Sequence, residues 1–237
     1  MEALRTSPLL LLLETATSVC SVAVCRGTEI LALQSSKAER EHASMLTIYI
    51  KEVMALAGFN LRDLDAVVVS KGPGSYTGLR IGVAAAKGIC FSLNKPLIAV
   101  DTLLAMAAQY NLEHGAGLNG DDMLVPVIDA RRMEVYGAAL NRQLDYRIPV
   151  CAEVLHPGSF ITDLSSRHVF FGDGAAKCTE IFSGNSSVVI DKSFNLSALG
   201  LLMPGNAAWM KRAFVDTAYF EPYYLKEFVA KQKSLPT

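Results

Sequence analysis

The sequence predicts an α/β protein made of two similar halves, and three observations predict it. Three short apolar runs come first, LLLLLETA (9–16), SVCSVAVCRG (18–27) and EILALQSSK (29–37), before helical and strand-like segments alternate. The segment Leu12–Cys25, LLETATSVCSVAVC, then returns at an offset of 115 as Val127–Leu140, VIDARRMEVYGAAL. Each copy is an apolar strand ending in an acid (Glu14, Asp129), a short polar turn and a second apolar strand. Finally, VVVSKGPG (67–74) is matched by HVFFGDGA (168–175), an apolar strand entering a Gly-x-Gly turn. Two matches in the same order point to duplicated halves.

The elements follow in order. Arg26-Gly27-Thr28 supplies a hairpin turn between the second and third strands. Apolar residues at Met45, Ile48, Tyr49, Val53, Met54 and Leu56 predict a helix from about His42 to Ala57, stopped by Gly58. LDAVVVS is apolar on both faces, as a central parallel strand is. KGPGSYTG opens a helix expected over about Leu79–Leu93; LIAVD (97–101) is a strand and TLLAMAAQYNLEH a helix. GAGLNGDD (115–122), rich in glycine and acid, is the linker. Beyond it the helices are fewer, one at about Ala175–Phe182 and one around Ala198–Arg212 broken near Pro204-Gly205. Three meandering strands followed by alternating helices and strands is the order of an RNase H-like domain. Two in tandem describe the actin, hexokinase and Hsp70 type of ATPase fold. The expected division is 1–118 for a first half carrying the dimerisation helices and 119–237 for a smaller second half.

Composition narrows the function classes. The chain has 237 residues, 51% hydrophobic and 19% charged, with a net charge of −1. That length can bury a substantial core, and that charge does not suit a protein that coats nucleic acid or a membrane surface. The five cysteines (20, 25, 90, 151, 178) are dispersed and form no CxxC pair, so buried reduced thiols in a cytoplasmic protein are expected. Cys20 and Cys25 are five apart on one strand and should face opposite sides. PLLLLL ends at Glu14 and reads as a buried strand rather than a signal-peptide core. No segment reaches the ~18 apolar residues of a membrane span.

The stretch KGPGSYTGLRIG (71–82) has the glycine content of a loop that holds phosphate. Glycines let backbone N–H groups approach an anion, and a helix N-terminus adds partial positive charge. Its spacing departs from the known loops. Gly72 and Gly78 stand one residue too far apart for the phosphate-loop pattern, and Leu79-Arg80 replace its Lys-Ser/Thr pair. Anion binding by Gly72, Gly74, Ser75, Thr77 and Gly78, with Glu14 and Asp129 as nearby acids, and a plain tight turn both stay open. The helix carries small residues at Gly78, Gly82 and Ala86, spaced by four, with Gly88 close by. Glycine inside a helix costs about 1 kcal/mol against alanine, so close packing, within the chain or against a partner, should offset it. Arg131 or Arg132 is expected to neutralise Asp129. His42, His114, His156 and His168 show no ligand spacing, and there is no G-x-S-x-G nucleophile elbow. No catalytic residue and no metal site are therefore assigned.

The segments LETATSVCSVAV, REHASML, DAVVVSKGPGSYTGLRIGVAAAKGI, PLIAVDTLLAMA, VPVIDARRMEVYGAAL, FFGDGA and EPYYLKEFVAK, spanning most of the chain in order, resemble the bacterial TsaB (YeaZ) family. The resemblance implies a role in forming N6-threonylcarbamoyladenosine (t6A) at position 37 of tRNAs that read codons starting with A. It also implies a non-catalytic subunit that pairs with and activates the catalytic paralogue TsaD, meets the small ATPase TsaE, and forms a homodimer when alone. ATP and Mg would then be bound only in the assembled complex, tRNA contact would be indirect, and no membrane is involved. The catalytic relative holds its metal with a His-x-x-x-His helix; here Arg40-Glu-His-Ala-Ser-Met-Leu46 keeps His42 and has Leu46 in the second place. Glu14 stands where family members commonly carry aspartate. Met45, Ile48, Tyr49, Gly82, Ala86 and Ile89 are the expected partner-interface residues. The rival readings are an ATP-dependent phosphotransferase using Glu14, Gly72, Gly74 and Asp129, and a glycoprotease-like peptidase or chaperone. EPYYLKEFVAKQKSLPT reads either as a solvated tail or as a segment touching tRNA or a partner.

Overall fold

A computed structural model of the chain describes residues 7–36 and 42–226. Two five-stranded sheets carry the fold, and their topologies match strand for strand. The first contains β1 (Leu9–Glu14), β2 (Cys20–Arg26), β3 (Glu29–Ser36), β4 (Ala66–Gly72) and β5 (Leu97–Asp101), in the order β3-β2-β1-β4-β5. The second contains β6 (Met123–Asp129), β7 (Glu134–Leu140), β8 (Tyr146–Val154), β9 (His168–Phe171) and β10 (Val188–Asp191), in the order β10-β9-β6-β7-β8. In each, the first strand pairs antiparallel with the second and parallel with the fourth. This is the tandem RNase H-like arrangement expected from the repeat. Glu14 and Asp129 are the last residues of β1 and β6, as the offset of 115 places them.

The helices divide between the layers. α1 (His42–Leu56) and α2 (Tyr76–Leu93) lie on the outer face of the first sheet; α3 (Thr102–His114) and α5 (Leu202–Met210) lie on its other face, towards the second sheet; α4 (Ala175–Ile181) covers the far face of the second. β1 shows why the leucine run is a strand. Leu9, Leu11 and Leu13 enter the core with α1 and α2, while Leu10 and Leu12 enter the core with α3 and α5. Cys20 and Cys25 fall into those same two cores, on opposite faces as expected. Each fully buried leucine contributes roughly 1.5–3 kcal/mol. Tyr110 of α3 stacks on Phe171 of β9 at 4.1 Å between ring centroids and joins the sheets through the central layer.

Several boundaries differ from expectation. α2 starts at Tyr76, three residues earlier than Leu79, because the Ser75 hydroxyl caps it by accepting the Gly78 N–H. β8 and β10 complete the second sheet and have no counterpart in the sequence reading. The helix around 198–212 does not break at Pro204-Gly205. A 3₁₀ turn (Ala198–Leu201) leads straight into α5, and Pro204 falls in the first turn, where its missing N–H costs no intrahelical bond. Gly205 lies against Val68 of the first sheet. The chain then follows the sheet edge, where the Val215 N–H donates to Leu97 O.

Candidate functional site

The ends of β1 and β6 and the loop after β4 surround a cleft of about 930 Å³ between the sheets. Gly74, Ser75, Thr77 and Gly78 line one wall and Asp129 the other, while Glu14 and Gly72 lie beneath the surface. The two acids expected to act together therefore occupy different environments.

Glu14 is fully buried. Its Oε1 accepts the Ala16 N–H at 2.7 Å, and its Oε2 accepts the Ser70 hydroxyl. Burial raises its carboxyl to about 7, against the partial relief of these hydrogen bonds. One oxygen shapes the turn after β1 and the other ties the end of β1 to β4, which is structural work. Asp129 is half exposed; its Oδ1 accepts from Lys177 Nζ and from the Arg131 N–H, each at 2.6 Å. The cation that neutralises it comes from α4, not from Arg131 or Arg132 as expected. Those two arginines sit in the tight β6–β7 turn with φ of 72° and 48° and are exposed at the cleft rim.

The glycines of KGPGSYTGLRIG are packed closely against the rest of the chain. In a phosphate loop, the space left by the missing side chain belongs to the ligand. Here it belongs to the chain. A Cβ on Gly74 would collide with Ala16 O, one on Gly78 with Thr15 O, and one on Gly82 with the Thr15 hydroxyl. Gly72 has φ of +119°, and its open side faces Tyr223 O. The Ser75 N–H donates to Ala16 O at 2.7 Å, and Thr15 Oγ1 donates to Gly78 O at 2.8 Å. The space beside these glycines is thus taken by the chain itself, and the Ser75 N–H is committed to a backbone carbonyl.

The expected interface residues divide. Ile48 is 46% exposed, and Met45 and Ile89 are partly buried. Tyr49 and Ala86 belong to the core beneath α1 and α2, and Gly82 is closed by Thr15, so these three face inward in the single chain. The spacing of small residues is real, and Gly78 and Gly82 use it to pack α2 against Thr15 in the turn after β1. The outward surfaces of the two helices carry Leu56, 68% exposed, and Phe91, 84% exposed, which the spacing did not single out. Gly88, with nothing within 4 Å of an added Cβ, is on the open side.

Other candidates prove structural. His168 is buried, with the Thr162 N–H donating to Nε2 and Ser166 O beside Nδ1; burial lowers its pKa. The backbone of His42 starts α1, and Arg40 and Glu41 lie outside the described residues. Among the described residues no group of three His, Cys, Asp or Glu side chains is arranged to hold a metal ion. No described helix is long and apolar enough to cross a membrane. Tyr223–Lys226 line the cleft rather than hanging free; 227–237 lie outside the described residues.

Two RNase H-like halves, with the glycines after β4 packed against the chain's own backbone, define a protein of tandem RNase H-like architecture. The family model described as TsaD, tRNA N6-adenosine threonylcarbamoyltransferase, matches residues 32–221, and the chain belongs to this family, within its TsaB (YeaZ) group. The tRNA threonylcarbamoyladenosine biosynthesis proteins TsaB of Haemophilus influenzae and Escherichia coli are each 29% identical to it. Both matches cover 94% of this chain, and 96% and 97% of those proteins respectively. The solved structure of YeaZ from Pseudomonas aeruginosa is similar at a TM-score of 0.78 and 27% identity, over 92% of this chain and all of that one.

Proposed function

We propose that this chain is a non-catalytic subunit of the cytoplasmic machinery that forms t6A on tRNA, and that it acts by pairing with a TsaD-type catalytic subunit. The observation that carries the reading is the contrast between a glycine loop filled from within and an apolar outer surface on α1 and α2. A chain that spends its phosphate loop on its own backbone has little left with which to turn over a nucleotide. Exposed large apolar side chains on adjacent helices are the features that partners cover. α1 and α2 are the pairing helices, with Ile48, Leu56 and Phe91 outermost, and the same face serves a homodimer when the chain is alone. ATP and Mg enter only with the assembled complex, TsaE joins that complex, and tRNA is bound chiefly by the other subunits.

Reconstitution tests the assignment: tRNA, ATP, threonine and bicarbonate with the partner proteins, omitting one protein at a time. Modification should fall sharply without this chain and vanish without the TsaD-type subunit. Modification by this chain without that subunit would overturn the reading. The pairing surface is tested separately with Ile48→Asp and Phe91→Asp. Both sites are exposed, so the fold should survive while co-purification with the TsaD-type subunit is lost; pairing at wild-type strength would remove the surface. Titration of the isolated chain with Mg-ATP should give no measurable heat, whereas the phosphotransferase alternative requires stoichiometric binding.

A further inference from the structure

The carbonyl that faces Gly72 belongs to Tyr223, about 150 residues further along the chain. It is one point in a continuous path. After α5 the backbone passes β5, then crosses α2, where Lys87 Nζ donates to Ala218 O at 3.1 Å and Phe220 O at 2.8 Å. At the loop, the Tyr223 N–H donates to Lys71 O at 2.6 Å. The Tyr224 ring then packs against Tyr76 in the first turn of α2, with centroids 4.9 Å apart. Finally Lys226 Nζ pairs with a carboxylate oxygen of Glu134, on β7 of the second sheet.

These contacts grade from firm to weak along the path. Lys87 gathers two carbonyls on the body of the first half. Beyond it, Tyr223 adds one backbone hydrogen bond, and Tyr223 and Tyr224 are 42% and 37% exposed. The last contact described is a half-exposed ion pair, and it reaches the other sheet. Tyr223–Lys226 also line the cleft, alongside Ser75, Tyr76, Arg131 and Arg132. A segment anchored at one end, tied by a weak polar contact at the other and laid across a cleft has the construction of a latch.

We propose that residues 216–226 form a latched strap: the chain's own backbone is the ligand of the KGPG loop, and the Lys226–Glu134 pair locks the strap across the cleft. Opening frees Tyr223–Lys226 as a unit, uncovers Gly72 and the start of α2, and leaves the Lys87 anchor in place. The strap is independent of which partner covers α1 and α2.

Amide hydrogen exchange on the full chain, resolved by mass spectrometry, tests it. Exchange reports the free energy of local opening, and a half-exposed ion pair contributes modestly to it. Lys226→Glu, which sets two carboxylates against each other, should speed exchange at Tyr223 and through 71–78 on the order of fivefold. Exchange in the strands of the first sheet and the thermal midpoint should stay unchanged. The charge-swapped pair Glu134→Lys with Lys226→Glu should restore protection. Tyr224→Ala, which removes the ring contact with Tyr76, should loosen the same amides. Unaltered exchange at Tyr223 in both single variants overturns the strap. Failure of the swap to restore protection overturns the Lys226–Glu134 lock. A general rise across the sheet would mean that the segment supports the fold as a whole, which also overturns a latch.

Discussion

The two halves of this molecule share a blueprint and differ in how they finish it at the cleft. Gly72, the last residue of β4, and Gly172, the first residue past β9, both have positive φ, +119° and +111°. Gly74 is pressed against Ala16, just past the end of β1, and Gly174 against Ile128 and Asp129, at the end of β6. From there the halves diverge. The first half continues into an 18-residue helix, the second into one of seven. The first half buries its strand-end acid; the second leaves its acid in solvent beside a lysine. The two halves share this backbone geometry, while burial decides what each acid does. A strand-end carboxylate is thus no evidence for a metal or nucleotide site until its surroundings are known.

The largest expected effect comes from the buried acid. Glu14 is held at about 7 by burial, against an ordinary value of 4.5. Between those values the unfolded chain gives up this proton and the folded chain keeps it. The folded state then binds more protons, and stability falls as pH rises. The contribution is complete below about pH 4.5 and is lost by about pH 7, amounting to about 3 kcal/mol. Glu14→Gln keeps a side chain of the same shape without the ionisation. Denaturant midpoints from pH 4.5 to 7.5 should fall more steeply for the natural chain than for the variant, by about that energy. Parallel curves would show that water or a rearrangement relieves the burial, and the contrast between the acids would disappear.

How much of this was legible follows from where the forces act. The paired strands of each half were visible because alternation and apolar runs report burial locally, and Glu14 and Asp129 mark their ends. β8 was not visible: YRIPVCAEV mixes Arg147, Pro149 and Glu153 into an edge strand, which shows weak alternation. β10 is four residues long and too short for a periodic signal. The spacing of Gly78, Gly82 and Ala86 correctly announced a close approach but not its partner, since Thr15 lies over 60 residues away. The strap was least legible of all. Its hydrogen bond to the loop uses the backbone N–H of Tyr223, a group that every non-proline residue possesses.

α2 allows the filled loop to be tested within one helix. An alanine at Gly82 would drive its Cβ into the Thr15 hydroxyl, which is itself committed to Gly78 O. Overpacking of this kind costs roughly 1–3 kcal/mol. An alanine at Gly88 meets nothing within 4 Å and gains helix propensity, worth about 1 kcal/mol of added stability. Thermal denaturation of the two variants should therefore move in opposite directions. Stabilisation by both would mean that Thr15 swings aside and that the loop is less tightly filled than its contacts indicate.

The smallest effect belongs to the second half and sharpens the contrast from the other side. Asp129 is half exposed, and its lysine partner is more covered, with side-chain exposures of 46% and 16%. Asp129→Asn keeps an oxygen for the Arg131 N–H and loses the attraction to Lys177, along with the repulsion from the neighbouring Asp173. The loss should stay below about 1 kcal/mol, as for other ion pairs near solvent. It should also fade in ~1 M salt, where charges are screened within about 3 Å. The Glu14→Gln difference should persist in the same salt, because its cause is desolvation rather than a facing charge. Urea midpoints of both variants at low and high salt separate these causes. A salt-insensitive loss at Asp129 would mean that this acid, too, is held by the fold rather than by its counter-ion.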